Sequence, residues 1–95
     1  MSSKAKPSPD DWRRRGQERF LKGVVLVRRT YRLYREGWDH DHCEFCSAKF
    51  SLAEHDLRRG YSTEEQYRWI CDDCVDDFKE EYGWTLRDES GPIPA

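Results

Sequence analysis

Cys43-Glu44-Phe45-Cys46 and Cys71-Asp72-Asp73-Cys74 are the two stretches on which the fold of this chain turns. Each is a CxxC pair, residues 47–70 lie between them, and together they hold all 4 cysteines of the 95 residues. Two thiolates at this spacing reach one ion while the chain turns between them, and two such pairs supply the soft ligands of a tetrahedral zinc site. One structural Zn2+ held by Cys43, Cys46, Cys71 and Cys74 is therefore expected. Two disulfides are the competing reading. A bridge within either pair closes a loop too small to constrain much, and the opening Met1-Ser2-Ser3-Lys4-Ala5-Lys6-Pro7 has no apolar run of the secretory kind behind it. A thioredoxin-like redox role would use one CxxC at a helix start and leave the other unexplained.

Composition makes the metal necessary as well as possible. The chain is 36% hydrophobic and 38% charged, with a mean hydropathy of −1.10, below the apolar share of about 45–50% usual for globular domains. That leaves room for one small domain, expected over residues 10–87, with disordered tails at 1–9 and 88–95. Aromatic residues, 14% of the chain, offset part of the shortfall. A structural zinc adds an apparent ~10–16 kcal/mol in small finger peptides at neutral pH, so the metal-free chain should be largely unfolded around the site.

Outward from the second pair, Cys71, Cys74, Val75, Phe78 and Tyr82 fall within one helical stripe about 100° wide. Asp72, Asp73, Asp76, Asp77, Glu80 and Glu81 take the opposite half, and acids in the first turn suit the positive end of the helix dipole. Gly83 ends this helix, and Trp84 and Leu86 can fold back on it. Upstream, Tyr67-Arg68-Trp69-Ile70 reads as a strand, Ala53 to Gln66 as a long polar turn, and Phe50 with Leu52 as a short strand. The first pair, with Ser47-Ala48 after it, reads as a tight knuckle lacking the glycine that ordinarily supplies a positive φ there. Val24 to Tyr34 suits a strand whose buried face carries Val25, Val27, Tyr31 and Leu33, because Gly23 and the valines disfavour a helix. An N-terminal helix from Asp10 or Asp11 to about Lys22 is also expected.

Trp38-Asp39-His40-Asp41-His42 runs into the knuckle with Trp38, His40 and His42 on one face of an extended segment. His40 and His42 are read as groups that support the sulfur site from outside, with a second metal site or a ligand swap as the sharper alternative. A knuckle, a hairpin and a helix carrying the last two ligands resemble the treble-clef zinc-binding domains over residues 43–82, and that resemblance implies a small α+β fold with the four cysteines as ligands. The string from Trp38 to Cys46, with Tyr67 to Cys71 and Asp77-Phe78, is also similar to a group of small bacterial zinc-binding proteins. That likeness implies a cytoplasmic bacterial origin and transfers no activity. Treble-clef nucleases of the His-Asn-His type place Asp-His after the knuckle and Asn on the helix. Here Asp41-His42 precedes it and the chain has no asparagine. Four thiolates also close the coordination sphere to an activated water, so no enzyme activity is expected.

Charge is divided along the chain. Residues 1–36 carry 11 Lys+Arg against 4 Asp+Glu, and residues 37–95 carry 6 against 15, giving +7 and −9. The principal expectation is a non-catalytic adaptor, accessory, regulatory or immunity-type, whose helix face (Asp72, Asp73, Asp76, Asp77 and Glu80) meets a basic protein with Trp84 or Trp38 as aromatic anchor. The alternative sends Arg28, Arg29, Arg32 and Arg35, interleaved with Tyr31 and Tyr34 and preceded by Arg13, Arg14 and Arg15, to nucleic acid. Internal pairing of the two charged halves is the plain reading beside both.

Overall fold

A computed structural model describes residues 7–32, 37, 39–88 and 91–92. It is a small mixed α+β structure in which a five-stranded sheet of order β5-β4-β1-β6-β7 lies beside a two-stranded hairpin, β2-β3. The elements are α1 (Glu18–Leu21), β1 (Val25–Thr30), β2 (Asp41–His42), β3 (Lys49–Phe50), β4 (Arg59–Thr63), β5 (Trp69–Ile70), α2 (Asp72–Tyr82), β6 (Thr85–Asp88) and β7 (Gly91–Pro92).

The valine run does form a strand, and β1 is the centre of the sheet. It pairs antiparallel with β4, Leu26 opposite Thr63 and Thr30 opposite Arg59, and parallel with β6, Val25 opposite Thr85 and Arg28 opposite Asp88. A strand with neighbours on both edges and cover on both faces buries successive residues. Leu26 and Val27 are accordingly both buried, so the expected single buried face is replaced by two. Leu33 lies outside the described residues.

Two expectations are corrected here. The N-terminal helix is only α1. Asp11 accepts hydrogen bonds from the Arg13 main-chain N–H at 2.9 Å and from its guanidinium, which holds a turn instead of capping a helix, and Gly16 at φ +82 interrupts any helical run. Residues 53–66 are not one long turn, because β4 lies within them and bridges β1 to β5. Its sequence, Arg-Gly-Tyr-Ser-Thr, has no large apolar alternation because the packing above it needs small residues. A Cβ on Gly60 would stand 2.7 and 2.8 Å from the Phe50 ring and 3.0 Å from the Ile70 carbonyl oxygen. Gly60→Ala should therefore cost about 1–3 kcal/mol through overpacking against a main-chain atom that cannot retreat, read as a lower denaturant midpoint with unchanged m-value.

The helix α2 has the extent and inward stripe expected of it, with Cys74, Val75, Phe78 and Tyr82 buried. Gly83 at φ +64 closes it while the N–H groups of Gly83 and Trp84 return to the carbonyls of Glu80 and Lys79. Trp84 does fold back: it is 8% exposed and its indole N–H donates to the Leu21 carbonyl at 2.8 Å. Leu86 then enters β6, and Asp88 pairs with Gly91, so the described residues of the expected tail, 88 and 91–92, join the sheet edge. Leu52, expected in a strand, is exposed beyond the end of β3. The tail expected at 1–9 falls mostly outside the described residues, while Pro7 and Ser8 lend their carbonyls to Arg14.

Candidate metal centre

The knuckle is built by the chain turning back at Ser47. Its φ of +67 supplies the left-handed conformation that a glycine would give without strain. Ser47 N–H donates to the Cys43 carbonyl at 3.0 Å and Cys43 N–H to the Ala48 carbonyl at 2.8 Å, which closes the turn below β2 and β3. Inside it the N–H groups of Phe45 and Cys46 reach Cys43 Sγ at 3.4 and 3.5 Å, and the N–H of Cys71 reaches the same sulfur at 3.4 Å. Cys71 sits at the N-cap of α2, so β5 and the first turn of the helix deliver the second pair against the first. All four Sγ atoms lie within 4.8 Å of one another, with Cys46 Sγ and Cys71 Sγ 3.6 Å apart. The four are free of disulfides and could hold a metal ion.

Electrostatics favour a cation there. Hydrogen bonds from the Cys71 and Cys74 thiols, reinforced by main-chain N–H groups, draw Cys43 towards thiolate, well below the usual range. The Cys71 thiol is pushed up to about 12, chiefly because it serves as donor to Cys43, and Cys74 is raised in the same way. Without a cation Cys43 is thus favoured in its charged form while Cys71 and Cys74 are held back from theirs. A divalent ion removes that conflict by making every sulfur an acceptor.

Compared with known protein families, curated proteins and solved structures, the chain matches none.

The segment Asp11 to Gln17 wraps the centre, which the charge-based reading of its arginines missed. Arg13 holds Asp11 through Nε and Nη2 at 2.8 Å each, reaches Asp77 with Nη1 at 2.8 Å and Cys74 Sγ with the same nitrogen at 3.6 Å. Its guanidinium carbon lies 4.8 Å from the Phe78 ring centroid. Arg14 forks onto Glu81, one arm at 2.9 Å, and Arg15 donates to the Phe45 carbonyl and to Ser47 Oγ at 3.0 Å each. Gln17, buried, donates to the Glu44 carbonyl at 2.9 Å. Arg13 puts a positive charge against a centre that four thiolates and a dication would leave at a formal −2. Arg13→Gln should weaken metal affinity about 10–100-fold, as loss of an outer partner typically does, in a competitive chelator titration. Arg14→Gln, whose pair lies nearer solvent, should change it little.

The remaining candidate residues are placed as follows. His40 and His42 stack edge to face at 4.9 Å, and His40 Nδ1 lies 2.6 Å from Asp39 Oδ1. Neither belongs to the sulfur cluster, and among the described residues no other group of three or more His, Cys, Asp or Glu converges as a metal site. Asp72 is bound by Arg28 and Asp77 by Arg13, while Asp73, Asp76 and Glu80 are exposed, Asp76 beside Lys79. Trp84 as a displayed anchor is corrected, since it is buried under Leu21. Of the arginine and tyrosine surface, only part is displayed among the described residues. Tyr31 is 1% exposed and donates to Asp41 at 2.9 Å, Arg29 is buried, and Arg28 is paired with Asp72, leaving Arg32 exposed. Tyr34, Arg35 and Trp38 lie outside the described residues. Internal pairing of the two charged halves accounts for Arg13, Arg14 and Arg28.

Phe45 is the residue that reading the spacing alone overlooked. It is fully buried, stacks on Phe78 at 4.6 Å, and meets the edges of Tyr82 and Trp84 at 5.5 and 5.8 Å. A large apolar residue between two ligand cysteines was the available signal.

Proposed function

We propose that the chain is a non-catalytic module built on one structural zinc and that it acts by binding another protein. The observation that carries the zinc half is the donor set. A tetrahedron with Zn–S bonds of ~2.3 Å has edges of roughly 3.8 Å, and the sulfurs of Cys46 and Cys71 already stand 3.6 Å apart within a four-sulfur group of span 4.8 Å. Four thiolates select zinc over harder cations. They also leave no position for an activated water, which is why a structural role is preferred to a catalytic one. The order of knuckle, hairpin, long connection and ligand-bearing helix supports the treble-clef reading.

The partner half rests on the exposed acids of α2. Arg13, Arg14 and Arg28 are engaged with α2 carboxylates, which takes them from the surface that a polyanion would need. Asp73 and Glu80 are exposed on α2, with Asp76, which pairs with Lys79, exposed beside them, an acidic face suited to a basic protein surface. No helix among the described residues is long and apolar enough to cross a membrane.

Affinity capture from cells, with and without nuclease, tests the reading. A partner retained after nuclease treatment and lost on changing Asp73, Asp76 and Glu80 to lysine supports it. Capture abolished by nuclease and falling steeply with salt would replace it with nucleic-acid binding. The triple variant leaves the buried stripe of α2 intact, so its melting temperature should stay close to that of the parent.

A further inference from the structure

The four sulfurs are not equivalent. Cys43 Sγ receives three main-chain N–H groups, from Phe45, Cys46 and Cys71, and Cys74 Sγ receives the guanidinium of Arg13. Such donors withdraw electron density from a thiolate and shield it. Among the described residues, the only hydrogen-bond contact of Cys46 Sγ is with Cys71 Sγ, and Cys46 is the one half-buried cysteine, the other three being buried. Reactivity of a thiolate follows its charge and its access to solvent. In a metal-bound centre coordination makes all four thiolates, so access and hydrogen bonding decide between them.

We infer that Cys46 is the reactive thiolate of the centre, the sulfur that an oxidant of the hydroperoxide class meets first, and that Cys71 resolves the product as a disulfide. This rests on the zinc reading above. The Cys46 sulfur attacks the distal peroxide oxygen, an S–O bond forms as the O–O bond breaks, and the departing hydroxide, or alkoxide where the oxidant is an organic hydroperoxide, takes a proton to leave as water or alcohol. Cys71 thiolate, 3.6 Å away, then attacks the sulfenic sulfur, forming S–S and breaking S–O, and the second hydroxide leaves as water with a second proton. Two thiolates lose two electrons to one peroxide, and the zinc, left with Cys43 and Cys74, is released.

The test uses the full chain as purified. Zinc content is measured first, by native mass spectrometry. Limiting hydrogen peroxide is then added, zinc release is followed with a chromogenic chelator, and free thiols are blocked before peptide mapping. The expected result is about one zinc released per peroxide consumed, with a Cys46–Cys71 disulfide as the first product. A limiting alkylating agent should label Cys46 first. Labelling spread evenly or beginning at any cysteine other than Cys46, or a first disulfide that leaves Cys46 out, overturns the assignment of Cys46, and a first disulfide that joins Cys46 to Cys43 or Cys74 overturns that of Cys71. Zinc present with either result sinks this inference alone, whereas no zinc in the starting material sinks the zinc reading and this inference together.

Discussion

Chelating the metal from freshly purified protein is expected to abolish the cooperative thermal transition and the near-ultraviolet signal of its aromatic residues. The cysteines are not an appendage to the core. Cys43, Cys71 and Cys74 are buried in the same cluster as Phe45, Trp69 and Phe78. A structural zinc contributes an apparent ~10–16 kcal/mol, which matches or exceeds the ~5–15 kcal/mol by which a whole domain is stable. Without the ion Cys43 is drawn towards thiolate at the expense of Cys71 and Cys74, whose charged forms are disfavoured beside it. The pH sign follows from counting protons. The unfolded chain's cysteines bind protons below ~8.5 and the metal-bound sulfurs bind none, so stability rises with pH towards that value and falls on acidification as zinc leaves. Circular dichroism with and without chelator, repeated across pH, is the measurement. A melting curve that chelation leaves in place would remove the metal from the account of the fold.

Phe45→Ala should be the most damaging single change outside the ligands. The side chain is fully buried, and four rings converge at this point: Phe45, Phe78, Tyr82 and Trp84. Emptying such a site costs the transfer of a large apolar group and the cavity left behind, about 3–5 kcal/mol. For a domain of this size that corresponds to a fall in melting temperature of roughly 15–30 °C. The backbone of Phe45 also donates its N–H to Cys43 and its carbonyl accepts from Arg15, so relaxation into the cavity would disturb the knuckle. Leu52→Ala is the control: that side chain is 51% exposed, and its loss should stay within about 0.5 kcal/mol. Equal effects from the two substitutions would dismiss the aromatic cluster as the main apolar support of the centre.

The parts legible from residues alone were those with a short-range signature. The two CxxC pairs bring their sulfurs together, and α2 keeps its stripe because 3.6-residue periodicity and a closing glycine are local facts. β1 was recognisable from its valines. What was not legible depended on distant partners. β4 has no apolar alternation of its own and is a strand because β1 and β5 flank it and Gly60 admits the Phe50 ring. Arg13, Arg14 and Arg15 looked like a surface for phosphate, since nothing near them in sequence discloses that Asp77, Glu81 and Cys74 will face the first two across sixty or more positions, or that Phe45 and Ser47 will receive the third. β6 was hidden for the same reason, its partner being a parallel strand far upstream.

That parallel pairing has a bearing on what a metal-starved cell would contain. β1 is made early, yet one of its edges stays open until residues beyond α2 arrive, and α2 carries two of the four cysteines that could hold an ion. If the proposed metal is what anchors α2, a molecule that never acquires it would carry an unpaired, valine-rich ribbon able to template onto its neighbours. Scarcity of the ion should then surface as insoluble protein rather than as a soluble, idle form.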